Sequence, residues 1–196
     1  AHRIHILSHF GRRPDGAVFS EIVRALGARE RLGIAYWSRS RDERTHREIS
    51  PQRLTRYRDN WYVDSWCHAR GDLRSFALDR IADVRRLPIP AQEIDSARLN
   101  QHLTDAYGIF SGKPEHSAVL RFSEERARWV ADESWHPQQE SRWLDDGCYE
   151  LRIPYGDPRE LIGDVLRHGA QCQVIAPQAL REAVAEEVRK MRRIYE

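Results

Sequence analysis

Between Leu32 and Leu87 the chain sets Tyr36, Trp37, Trp61, Tyr62, Trp66 and Phe76 among Arg39, Arg47, Arg70, Arg74 and Arg80. Aromatic faces beside guanidinium groups are what a single-stranded nucleic acid requires. Each stacked base contributes about 1–3 kcal/mol, and arginine forks grip phosphate oxygens with paired hydrogen bonds. A competing demand acts on the same residues. A barrel of about sixty residues needs most of its aromatics for its own core, which predicts roughly four of the six inside. One or two of the arginines are expected to pair with Asp64, Asp72 or Asp79.

Other chemistry finds little support. The chain contains no G-x-S-x-G elbow, no H-E-x-x-H pair and no G-x-x-x-x-G-K-[ST] loop. Asp145-Asp146 offers two carboxylates, but Gly147 follows at once, so a hairpin turn before a strand at Tyr149 is the reading adopted. Asp157, just before Pro158, reads as a helix cap. His2, His5 and His9 share a helical spacing without an interleaved carboxylate or thiol, so no metal is assigned to them. Cys67, Cys148 and Cys172 are odd in number and never form C-x-x-C, which argues against a disulfide framework and points to a reducing cytoplasm. No catalytic residue, metal or cofactor is expected, and the chain is not expected to be an enzyme.

The composition is that of a water-facing globular chain: 196 residues, 40% hydrophobic and 32% charged. No run of apolar residues is long enough for a membrane span. The 32 basic residues include only two lysines, Lys113 and Lys190, an excess of arginine attributed mainly to genome composition. Their distribution carries more than their number does. Residues 29–86 are net +5 and residues 115–196 net −4, so two modules are expected, with any polyanion going to the first.

Those modules must be built from readable elements. Val18, Ile22, Val23 and Leu26 recur at helical spacing up to Glu30. Six short β-rich runs follow: Leu32–Trp37, Thr45–Ile49, Leu54–Tyr57, Trp61–Cys67, Ser75–Leu78 and Ile81–Leu87. So many short strands in so few residues predict a small, strongly bent barrel of SH3 or Sm type. A helix over Ile94–Tyr107 and a linker marked by Gly108, Gly112 and Pro114 come next. The second module then alternates: strand Ala118–Phe122, helix Glu124–Ala131, strand Tyr149–Ile153, helix Pro158–His168, strand Gln173–Ile175 and a last helix to about Ile194. This order predicts a ferredoxin-like α/β sandwich. The expected fold is α+β, divided as a linker and helix (1–30), a barrel (31–90), a helical linker (91–114) and the sandwich (115–196).

Certain motifs carry a family likeness. Trp61-Tyr62-Val63 lies between Pro51-x-x-Leu54 and Arg74-x-Phe76-x-Leu78-Asp79-Arg80-Ile81, with Tyr36 ending the first strand. This resembles the WYL domain, an SH3/Sm-like barrel of bacterial transcription regulators, with Val63 in place of the leucine. The second module is similar to that family's C-terminal extension, WCX. It carries Val119-Leu120-Arg121-Phe122, Asp146-Gly147, Leu151 to Pro154, Leu161, Gly169, Val174-Ile175-Ala176-Pro177 and Leu180-Arg181. Together the matches cover about residues 18–196.

The resemblance implies a regulator whose N-terminal winged helix-turn-helix binds promoter DNA. Its WYL barrel senses a ligand and its extension contributes to a homodimer. With no room for a winged helix before Val18, this chain is expected to be the sensory part of a longer regulator or a relative without a DNA-binding domain. The matched groove residues are Tyr36, Ser38, Trp61, Tyr62, Arg74 and Arg80. Charge and position add Arg47, His68 and Arg70. The expected effector is a short single-stranded DNA, in a setting such as DNA damage or phage defence. A nucleotide or small-anion sensor and a ligand-free dimerisation module are the alternatives.

Overall fold

The structure, a computed structural model, describes residues 12, 14–38, 42–104 and 115–196. His2, His5, His9, Arg39 and the predicted linker around Gly108–Pro114 lie outside them. The chain divides into two compact units, Ala1–Leu99 and Asn100–Glu196. Among the described residues no helix is long and apolar enough to cross a membrane.

The first unit opens with α1 (Gly16–Ala28), started by the Asp15 carboxylate, which accepts from the amides of Ala17 and Val18 at 2.7 and 3.3 Å. Val18, Ile22 and Ala25 form its buried stripe. Five antiparallel strands follow: β1 (Glu30–Ser38), β2 (Glu43–Tyr57), β3 (Asn60–Cys67), β4 (Asp72–Ala77) and β5 (Ile81–Pro90), in the order β4-β3-β2-β1-β5. A 3-10 turn, Leu78–Arg80, joins β4 to β5. α1 packs on β1, β2 and β5, and its stripe meets Leu32, Ile34, Ile49, Val63 and Phe76 in one core.

Two of the six expected strands are one. β2 runs through Pro51, pairing with β1 up to Ile49 and with β3 from Ile49 onward. Proline is tolerated in strands at edges and bulges. Both conditions hold here, since β1 stops pairing at Ile49 and the register slips by one residue between Pro51 and Arg53. After β5 comes α2 (Ser96–Thr104), shorter than the predicted helix within the described residues, with the Asp95 carboxylate accepting from the Ala97 amide at 2.8 Å.

The second unit runs β6 (His116–Phe122), α3 (Glu124–Val130), β7 (Glu140–Trp143), β8 (Tyr149–Tyr155), α4 (Pro158–Arg167), β9 (Cys172–Ala176) and α5 (Gln178–Tyr195). Its antiparallel sheet has the order β7-β8-β6-β9, the split β-α-β arrangement of a ferredoxin-like sandwich. Strand β7 was not predicted from sequence, because all four of its residues are exposed and it shows no apolar alternation. Asp145-Asp146-Gly147 turns the β7–β8 hairpin: Gly147 takes φ +78, and the Gly147 amide donates to the Leu144 carbonyl at 3.0 Å. Asp146 pairs with Arg121. Asp157 caps α4, accepting from the Arg159 amide at 2.9 Å. All three cysteines are free, and burial pushes the Cys172 thiol up to about 12.

His168 sits in this second core. Its ring stacks on Trp135 at 5.5 Å and meets the Phe122 edge at 5.3 Å. Burial, reinforced by the positive charges of Arg167 and Arg126, holds the imidazole below its ordinary range; Glu133 and Asp164 oppose this only in part. In the unfolded chain the ring takes up its proton near its ordinary value of about 6.5. Below that pH the unfolded state therefore binds more protons, and stability falls as the solution is acidified. Urea unfolding between about pH 7.5 and 5.5 should show a falling midpoint in the wild type and a shallower fall in His168→Gln.

Candidate ligand site

Cross-strand partners in an antiparallel sheet point to the same face, and successive residues to opposite faces. The register therefore sorts the candidate residues. Leu32 pairs with Ile49, Ile34 with Arg47 and Tyr36 with Thr45, so Arg47 and Tyr36 continue the core-facing side of β1 and β2. Ser38, opposite Glu43, extends the same row. On the other flank Val63 pairs with Phe76 and Ser65 with Arg74, which puts Arg74 on the core-facing side of β4. The sheet curls until Tyr36 meets Phe76 edge to face at 5.1 Å. Tyr36, Arg47 and Arg74 thus share one concave side, with Ser38 at its rim.

Two buried polar atoms on or near this side have no hydrogen bond among the described residues. The Ser65 hydroxyl and the Arg80 Nε are buried without a hydrogen bond. Arg80 closes the 3-10 turn immediately before Ile81, which pairs with Tyr36. Arg47 donates from Nε to the Thr45 hydroxyl at 3.3 Å. Other arginines of this unit are neutralised: Arg12 by Asp79 at 3.1 Å, Arg31 by Glu48 at 2.6 Å and Arg53 by Asp64 at 2.9 Å. Arg98 lies 3.6 Å from Asp72. For the candidate arginines among the described residues the expected pairing with Asp64, Asp72 or Asp79 is not seen, and Arg39 lies outside those residues. Among the described residues Arg47, Arg70, Arg74 and Arg80 form no ion pair. Parity keeps one such pair apart, since Asp64 points to the face opposite Arg74.

This curled sheet and the sandwich after it correspond to known families. The family model of the WYL domain matches residues 17–86 and that of the WCX domain residues 114–192. The chain carries a WYL domain followed by a WCX domain. Protein PafC of Mycobacterium tuberculosis is 30% identical over 155 residues, 79% of this chain and 48% of PafC. The DNA-binding transcriptional repressor CapW of Escherichia coli is 35% identical over 74 residues, 38% of this chain and 25% of CapW. A crystal structure of a CRISPR Cas-related protein shares the fold at a TM-score of 0.57 and 10% identity, covering 91% of this chain and 51% of that one. The chain spans about half the length of PafC.

Within the WYL domain the remaining candidates are dispersed. Trp61 packs edge-on against Phe19 of α1 at 5.4 Å, at the apolar end of the core-facing side. Tyr62 is buried on the opposite face, paired with Thr55 and Ala77. Arg70 is exposed in the β3–β4 turn. His68 opens that turn, with Nε2 2.9 Å from the Ser50 hydroxyl, which also accepts from the Gln92 amide. Of the six aromatics, Tyr62 and Phe76 are buried and Trp37 is 38% exposed, so fewer are fully inside than the core requirement predicted. Thr45 and Ser65 were missed as site residues. Period-two alternation with Arg47 and Val63 marks both, but small hydroxyls give no compositional signal.

Partial burial lowers the His68 imidazole, the nearby Arg31 guanidinium lowers it further, and Glu48 works against both. These effects favour the uncharged ring, which is placed to hydrogen-bond with the Ser50 hydroxyl. NMR titration of His68 should give a midpoint below about 6.5, and Arg31→Gln should raise it.

Proposed function

We propose that this chain is the effector-sensing and dimerising part of a transcription regulator, and that its WYL domain takes a short single-stranded nucleic acid on its core-facing side. One observation carries the reading: Arg47 and Arg74 share a concave face with Tyr36 and have no carboxylate partner among the described residues. Unneutralised guanidinium groups beside an aromatic ring suit a phosphate chain with a base stacked against it. Arg80, whose buried Nε lacks an acceptor, and Ser38 at the rim complete the proposed set. Trp61 and Tyr62 then support the barrel, while His68 and Arg70 contribute at most to a track outside this face.

Similarity to CapW, a DNA-binding transcriptional repressor, supports a regulatory role, with promoter DNA bound by a further domain. The effector controls that binding only if it prefers one arrangement of the regulator over another. Dimer formation is assigned to the WCX domain. The last turns of α5 expose Val188, Met191, Ile194 and Tyr195 on one helical stripe, and their basic neighbours Arg189, Lys190, Arg192 and Arg193 extend from an otherwise acidic unit. A second copy of that unit offers the complementary charge.

Two measurements test these assignments. With three arginines on phosphates, log affinity for an oligodeoxynucleotide should fall against log salt with a slope near −2, at roughly −0.7 per contact. Arg47→Ala with Arg74→Ala should flatten it to about −0.7. A salt-independent affinity removes the phosphate reading, and saturation by a mononucleotide with no gain from longer strands replaces it with a nucleotide sensor. For the second assignment, sedimentation should show a dimer that Met191→Glu with Ile194→Glu converts to monomer.

A further inference from the structure

The face of the WYL sheet opposite the ligand site holds a buried ion pair that the proposed function does not use. Asp64 is fully buried and accepts three hydrogen bonds, from Arg53 Nε at 2.9 Å, the Thr55 hydroxyl at 2.7 Å and the Ser75 hydroxyl at 2.5 Å. The other end of the Arg53 fork donates from Nη2 to the carbonyl of Leu99, in α2, at 2.7 Å. Neighbouring side chains fasten the stretch before it. Gln52 donates to the Gln92 carbonyl at 2.8 Å and accepts from the Ile94 amide at 3.1 Å. The Arg98 guanidinium lies over the Trp66 ring at 5.1 Å.

A buried ion pair is a weak source of stability, since apolar residues of similar size often serve as well or better. Position is what this one supplies. The bulge at Gln52 turns Arg53 to the α2 side; without it, Arg53 would follow Pro51 onto the core-facing side. The clamp also shares its backbone with the ligand site. Asp64 pairs with Ser75, and the next pair along the same two strands is Ser65 with Arg74. One residue step therefore separates Arg74, the exposed member of that pair, from the groups that hold α2.

We infer that Arg53, seated by Asp64, is a positioning residue that passes ligand occupancy at Arg74, the cross-strand partner of the buried Ser65, to α2 and the chain that follows it. The inference rests on the ligand reading given above. A phosphate drawn to Arg74 shifts the β3–β4 pair at residues 64–65 and 74–75. Asp64 and Ser75 move with it, and Arg53 carries the shift to the Leu99 carbonyl.

Hydrogen exchange over residues 92–104 in the whole chain tests this, with and without a single-stranded deoxyoligonucleotide of about ten nucleotides. In the wild type the oligonucleotide should alter exchange in α2 several-fold. In Arg53→Lys, which keeps a cation for Asp64 but lacks the fork that reaches Leu99, the oligonucleotide should bind as tightly and leave α2 unchanged. Arg53→Met, checked for folding by circular dichroism, should behave likewise. A ligand-free arm uses Ser65→Thr, which adds a methyl group beside Arg74. It should alter α2 exchange in the wild-type background and not with Arg53→Lys. If the oligonucleotide binds and α2 exchange is unchanged, the relay is wrong and the proposed function stands. If no oligonucleotide binds, the proposed function fails, and an unaltered α2 in Ser65→Thr overturns the relay as well.

Discussion

One strand serving two partners sets the form of the first unit. β2 pairs with β1 along its first half and with β3 along its second, and Ile49, fully buried, belongs to both ladders. A strand of fifteen residues can do this only if the sheet curls around it. The curl brings Tyr36 at the end of β1 against Phe76 of β4, and α1 fills the remaining opening with Val18, Ile22 and Ala25. Burial of these side chains drives the arrangement, since every apolar residue removed from water favours the closed form. The candidate site is what remains at the mouth, where the same face passes from Leu32 and Ile34 to Arg47 and Ser38.

The second unit follows a different logic. Its sheet buries Leu120, Phe122, Leu151 and Ile153 with Leu161 of α4 and Leu180 of α5. The opposite side carries charge, with Arg142 donating to Glu150 at 2.9 Å and Arg152 lying 3.7 Å from Glu140. Exposed cross-strand pairs of this kind contribute little stability. They keep an open sheet face soluble and set register between β7 and β8. The basic barrel and the acidic sandwich therefore differ in the way each treats its second face.

Much of this was legible from residue type and spacing. The Asp15 and Asp157 caps, the Asp146-Gly147 hairpin and the α+β order follow from local rules that tertiary packing did not overturn. What failed to show was whatever depends on parity across strands. Arg74 and Asp64 look like partners in a list of charges, and only the register reveals that they face opposite ways. β7 escaped because an exposed edge strand needs no apolar alternation. Pro51 reads as a strand breaker until β1 is seen to stop two residues earlier. The WYL triplet itself splits in the same way, since Trp61 and Val63 serve the core and Tyr62 the far side.

The bulge at Gln52 has a consequence for how such a chain can vary. Substitutions elsewhere in the sheet alter one side chain and leave its neighbours facing as before. Deleting Gln52 would alter no charge and remove no core residue. It would nonetheless reverse the facing of the five residues after it, sending Arg53 into the apolar interior and Leu54 towards α2. In this segment the length of the chain, more than the identity of any residue, separates the inside of the sheet from its outside.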